Sequence, residues 1–226
     1  MKENGAWTVS QKVKLRDGMT ISRNAQMGSR NTVTWFSLGR GTSISQESYD
    51  RWSVYLGAEG EADFIIGQEN PAGVQRLADG SLLLLAGGTL CGVECPQGAI
   101  YTEIVLEKEP VNMHEMVVPG RVLELRNLLD YEEGSIVNCD IVRNDSLRYV
   151  LMAFDAGTGL QPHRAPGNAI VTALEGSAVI GYEGENYTLH EGESFRFAKN
   201  ALHSVTAAGG PFKMSLLLLL QQEDPA

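Results

Sequence analysis

Four histidines occur among the 226 residues, and two of them stand in stretches able to bring side chains to one place. His163 closes the run Gly157-Thr-Gly-Leu-Gln-Pro-His163, with five residues between the glycine and the imidazole. His203 closes Gly192-Glu-Ser-Phe-Arg-Phe-Ala198-Lys-Asn200-Ala-Leu-His203, with five residues between Gly192 and Ala198. A pair of neutral imidazoles on neighbouring strands could hold Zn, Fe, Ni or Mn as a divalent ion. A catalytic metal ordinarily takes three protein ligands and keeps one position open. With only two histidines, Gln161, Asn168 or water would have to complete the shell, so Gln161 and Asn168 are the expected polar lining of a ligand pocket. Two plainer uses compete with a metal: the imidazoles line a pocket that holds no ion, or they hydrogen-bond a carboxylate ligand directly. His114 and His190 have no supporting constellation, and His190, in a polar turn, is expected to be solvated. No Ser-His-Asp order, phosphate loop or paired catalytic carboxylates stand out.

Strands must position these residues. Thr32–Leu38 is rich in β-branched and aromatic side chains, Leu82–Leu85 is a continuous apolar run after Asp79-Gly80, and Ile100–Leu106 alternates. Ser53 to Ile66 reads as two apolar runs about a hairpin at Gly57-Ala-Glu-Gly60. Met214–Leu220 reads as a buried terminal strand. Between Pro110 and Tyr131 the rhythm changes: Val122, Leu123, Leu125, Leu128 and Leu129 lie at roughly helical spacing and predict a short amphipathic helix. From Ile136 the strand rhythm resumes.

The chain repeats itself. Gly41-Thr-Ser-Ile-Ser-Gln-Glu47 has the spacing of Gly157 to His163, an offset of 116, and Glu59-Gly60 falls on Glu175-Gly176 at that offset. Gly80 to Cys91 then falls on Gly192 to His203 at an offset of 112, the difference being a shorter loop in the first half. Two copies of one unit are the simplest reading.

The Gly157–His163 and Gly192–His203 spacings resemble the two motifs of the cupin superfamily. That resemblance implies an all-β fold of two tandem cupin barrels (double-stranded β-helices, or jelly rolls) joined by the helical linker. The domains would be 1–112, an N-terminal barrel with a degenerate site, and 113–226, the linker helix and C-terminal barrel. The run from Leu151 to Ala169 further resembles a group of bacterial two-barrel cupins of unassigned activity. A cupin metal site usually has two histidines and a glutamate in the first motif and one histidine in the second. The matching positions here carry His163, Ala165, Ala169 and His203, with Glu47, Tyr49, Ser53 and Cys91 in the first half. The first barrel is therefore expected to be metal-free and structural. Cys91 and Cys95, four apart on an extended strand, stand too far apart for a disulfide.

Composition bounds the partners. The formal charge is −10, and no cationic stripe suits nucleic acid. The longest apolar run is too short to span a bilayer. Three cysteines without a secretory leader predict a cytoplasmic protein. The expected partner is a small-molecule ligand, and a homodimer is compatible with this composition. The missing third and fourth ligands at Ala165 and Ala169 rank a binding protein first. A metal-dependent dioxygenase, isomerase or decarboxylase using the C-terminal barrel is the alternative, and a purely structural protein comes third.

Overall fold

A computed structural model describes residues 5–67 and 73–220. They form one four-residue helix, α1 (Val9–Lys12), and nineteen strands. The strands are β1 (Thr20–Asn24), β2 (Thr32–Leu38), β3 (Thr42–Ser48), β4 (Ser53–Ile66), β5 (Gly73–Ala78), β6 (Ser81–Leu85), β7 (Leu90–Cys95) and β8 (Ala99–Val105). Next come β9 (Asn112–Met113), β10 (Val122–Glu124), β11 (Ile136–Arg143), β12 (Leu147–Phe154), β13 (Gly159–Arg164) and β14 (Asn168–Glu175). The series closes with β15 (Ser177–Tyr182), β16 (Glu185–His190), β17 (Ser194–Phe197), β18 (Leu202–Thr206) and β19 (Phe212–Leu219). The chain divides into two compact units. Of the described residues, the N-terminal unit holds those within Val9–Pro110 and Glu115–Glu124; the C-terminal unit holds 5–8, Val111–His114 and 125–220.

In the N-terminal unit the sheet path runs β1-β2-β8-β4-β6-β10, and β7 pairs with both β3 and β4 while β5 pairs with β4. All these pairings are antiparallel. Alternation along the strands turns Leu38, Tyr55, Phe64, Leu83, Val93 and Tyr101 into one apolar core. The C-terminal unit has a six-stranded sheet, β17-β14-β19-β12-β11-β9, and a four-stranded sheet, β13-β18-β15-β16. Its core gathers Phe154, Ile180, Phe195, Phe197, Val205 and Phe212.

The same irregularities recur in both units. Register slips between Ile44 and Glu47 in the β3–β7 pair, and between Leu160 and His163 in the β13–β18 pair. Positive φ recurs at Gly41 and Gly157, at Gly60 and Gly176, and at Gly80 and Gly192. It recurs even where only one copy is glycine: Gly67 against Glu183, and Gly88 against Asn200. Left-handed backbone disfavours a side chain, so the turns, and not merely the glycines, are what the two halves share.

Two sequence expectations fail here. No helix forms between Val111 and Tyr131: β10 instead pairs as an edge strand with β6, and the Val122 N–H donates to Gln75 Oε1 at 3.0 Å. The edge of β6 offers unpaired backbone groups, and pairing them outweighs a weak helical periodicity interrupted by Pro119-Gly120. Nor does Gly57-Ala-Glu-Gly60 form a hairpin. β4 runs straight through it with a bulge between Gly57 and Glu59, pairing β6 and β8 on one side of it and β5 and β7 beyond. Gly57 is required because a Cβ there would overlap the Ala78 carbonyl.

Candidate functional site

His163 and His203 are direct cross-strand partners on β13 and β18. Their ring centroids lie 4.3 Å apart at an interplanar angle of 55°. The bulge after Leu160 makes this pairing, because the one extra residue in β13 re-aims the strand just before the histidine. His163 sits on the exposed edge strand of its sheet, whereas His203 is 6% exposed. One imidazole is therefore embedded and the other exposed.

Each ring is anchored in the same way. His163 Nδ1 lies 2.8 Å from the Gln161 carbonyl, and His203 Nδ1 lies 2.9 Å from the Ala201 carbonyl. A carbonyl can only accept, so Nδ1 is the donor on both rings, and in the neutral form of each it is Nε2 that keeps the lone pair. That tautomer, fixed by a backbone carbonyl, is the one a metal-binding histidine uses. Phe197 lies flat on His203, with centroids 4.1 Å apart and planes 16° apart. Tyr182, the cross-strand partner of His203 on β15, packs against both Phe195 and Phe197. Burial in this apolar surround lowers the His203 pKa; the Ala201 carbonyl pulls it up, and the neighbouring His163 lowers it further. His203 is thereby held neutral and competent as a ligand or acceptor.

The turn before His203 is clamped to the segment after His163. Asn200 adopts φ of 61°, its N–H donates to the Ala165 carbonyl at 2.8 Å, and its own carbonyl accepts from Arg164 Nη1. Asn168 Oδ1 accepts the Lys199 N–H at 2.9 Å. Of the two expected pocket residues, Asn168 thus spends its carbonyl oxygen on this turn, and Gln161 supplies a backbone carbonyl to His163. Ala169 is buried and Ala165 half-buried. Among the described residues no group of three His, Cys, Asp or Glu side chains is placed to hold a metal ion. The two Nε2 donors fit a divalent ion only as one part of its shell, the remainder coming from water or a bound ligand.

Glu47 and Cys91 are direct partners in the N-terminal unit, as His163 and His203 are in the other. Around them stand Tyr49, which motif spacing places there, and Tyr55 and Glu103, which it does not. The Tyr49 hydroxyl donates to Glu47 Oε2 at 3.1 Å. Glu103 on β8 bonds the Tyr55 hydroxyl, and burial raises its pKa. Burial also pushes the Cys91 thiol up to about 12, with the Glu103 charge adding to it. The signal for Glu103 was present: within Ala99-Ile-Tyr-Thr-Glu-Ile-Val105 it shares the inward phase of Ala99 and Tyr101. Phe197 and Tyr182 were legible only as core residues. All three cysteines are free.

Comparison with known proteins bears on the fold. Residues 150–219 match the cupin domain family. No curated protein sequence matches the chain. Among solved structures, a cupin 2 conserved barrel domain protein from Leptotrichia buccalis superposes with a TM-score of 0.81 at 23% identity, covering 95% of each chain. Salicylate 1,2-dioxygenase from Pseudaminobacter salicylatoxidans gives 0.67 at 12% identity, over 95% of this chain and 84% of that one. Oxalate decarboxylase from Bacillus subtilis, whose centres hold Mn(II), gives 0.57 at 12% identity, over 98% and 78%. At these identities the likeness is one of fold: a nearly all-β chain of cupin-barrel type. Among the described residues no helix is long and apolar enough to cross a membrane.

Proposed function

We propose that the chain is a small-molecule-binding bicupin whose C-terminal barrel holds the ligand beside a divalent metal, with His163 and His203 as the protein's ligands. The observation that carries this reading is the anchoring of both Nδ1 atoms on rings whose centroids lie 4.3 Å apart, which leaves Nε2 on each as the available donor. The repeated bulge and positive-φ turns support reading both units as barrels of one descent, the first with Glu47 and Cys91 where the second has imidazoles. When bound, the metal would supply positive charge to polarise an oxygen ligand. The chain's own part is to fix the rings through Gln161 and Ala201, to wall one side with Phe197, and to hold the approach rigid through Asn168 and Asn200.

The dioxygenase and decarboxylase among the structural neighbours give the enzymatic alternative its content. Ala165 and Ala169 weigh against it, because neither can serve as a third donor. The test is elemental analysis of protein purified without a metal-binding tag, followed by Zn²⁺ or Ni²⁺ titration. One metal per chain, lost on replacing both histidines by alanine and kept in Cys91→Ala, is the expected result. Uptake that ignores the histidines would end the assignment.

A further inference from the structure

The edge of the six-stranded sheet carries two arginines that the paired histidines do not explain. Asn112 on β9 pairs with Arg143 on β11, and Arg143 pairs with Arg148 on β12, so the three side chains leave one side of the sheet. The bulge between Asp140 and Val142 turns Asp140 to that side as well, since Asp140 pairs with Val150, two residues beyond Arg148. Beside them opens a recess of about 370 Å³ whose wall includes Val111, Asn112, Arg143, Asp145, Arg148 and Leu220. That volume lies within the roughly 300–1,000 Å³ of small-molecule sites.

The two arginines have more donors than acceptors to take them. Arg148 Nη2 donates to Asp140 Oδ1 at 2.8 Å, while Arg148 Nε, shut off from solvent, has no partner. Asp140 Oδ2 lies 3.8 Å from Arg143 Nη1, an ion pair too long to be a hydrogen bond. Among the described residues the Arg143 guanidinium has no hydrogen-bond partner. One carboxylate thus serves two guanidiniums and fits neither, because the planar fork takes both oxygens of a carboxylate side by side. A second carboxylate on Arg143 would free Asp140 to close on Arg148 Nε and Nη2 together. Asp145, also on the wall, makes its contacts elsewhere. Val111 and Leu220 give the recess an apolar side, which suits a hydrocarbon and not a bare inorganic ion. We propose that this recess binds a small aliphatic monocarboxylate, its two oxygens on the Arg143 guanidinium and its hydrocarbon against Val111 and Leu220.

This site shares no residue with the histidine pair, so the two assignments can fail separately. The experiment is an NMR titration of the full ¹⁵N-labelled chain with sodium butyrate, butyramide and inorganic phosphate, at constant ionic strength. Butyrate should give saturable amide shifts at Asn112, Arg143 and Leu220, and equally so in the variant lacking both histidines. Butyramide, alike in shape but uncharged, should give none, and phosphate should bind more weakly than butyrate. Arg143→Gln should weaken butyrate binding about tenfold or more. Arg143→Lys keeps the charge but not the fork and should lose nearly as much. Asp145→Asn removes the wall's own negative charge and should tighten binding. No saturable shift, equal binding of butyramide, or tighter binding of phosphate would each overturn the proposal. So would full affinity in Arg143→Lys, weaker binding in Asp145→Asn, or shifts centred on His163 and His203. If Arg143→Gln loses the dispersed spectrum of a folded chain, the Arg143→Lys and Asp145→Asn results decide alone.

Discussion

Replacing Phe197 tests how the C-terminal site is held. The side chain is 1% exposed, stacks on His203 at 4.1 Å, and meets Phe195 and Tyr182 at centroid distances of 5.3 and 5.8 Å. Phe197→Ala removes all of these contacts and leaves a cavity that the β14 and β18 backbones cannot close, at a cost of about 3–5 kcal/mol. Against a typical total of roughly 5–15 kcal/mol, that is a large share of the chain's stability. Urea denaturation followed by tryptophan fluorescence and circular dichroism measures it. Phe197→Leu separates fold from site: it retains most of the apolar volume but removes the flat face on which the imidazole rests. We expect Phe197→Leu to remain folded while Zn²⁺ affinity falls about tenfold, the lower end of the effect seen when the support of a metal-binding histidine is lost. A loss below about 1 kcal/mol for Phe197→Ala, or unchanged metal affinity in Phe197→Leu, would refute the packing argument.

Three further outcomes are expected. The folded-state pKa of His203 lies below its unfolded value, so its contribution is fully present above about pH 6.5 and declines as the unfolded chain takes up the proton on acidification. Its replacement by glutamine should flatten the stability profile in that window, as read from urea midpoints. Gly176→Ala forces a side chain onto a φ of 73° and against the Pro211 carbonyl, so it should cost about 1–2 kcal/mol from backbone strain alone and more from the overlap; an unchanged melting temperature would contradict it. Cys91, with its pKa pushed up to about 12, should alkylate with iodoacetamide at pH 7.5 far more slowly than a free thiol, as followed by intact mass.

The parts legible in the sequence were those written as spacing. His163 and His203 are brought together by the sequence because the Gly157–His163 and Gly192–His203 spacings resemble the two cupin motifs, and the offsets of 116 and 112 carry through to the positive-φ turns and the bulges. The linker forms no helix because helical periodicity in Val122 to Leu129 is a local signal, whereas the unpaired edge of β6 that captures Val122–Glu124 is a distant and stronger one. Asn168 was singled out as polar beside the site, but only the fold shows the Lys199 amide it must satisfy. Glu103 escaped because its partners Tyr55 and Cys91 lie on other strands, and no motif links the three.

The assignment of segments to units also bears on how the chain is made. Trp7 exchanges two backbone hydrogen bonds with Ser194, at 3.0 and 2.7 Å, so the N-terminal stretch belongs to the unit synthesised last. β10, which closes the edge of the N-terminal sheet, lies beyond residues 111–114, which belong to the other unit. A nascent chain that has just released Pro110 from the ribosome therefore has an uncapped β6 edge and a Trp7 segment whose Ser194 backbone has not yet been made. Neither is resolved by waiting for the first half alone. A single cut at the linker would sever the N-terminal sheet from β10 and the C-terminal unit from the Trp7 segment, so the halves expressed together as separate chains should reassemble better than either survives by itself.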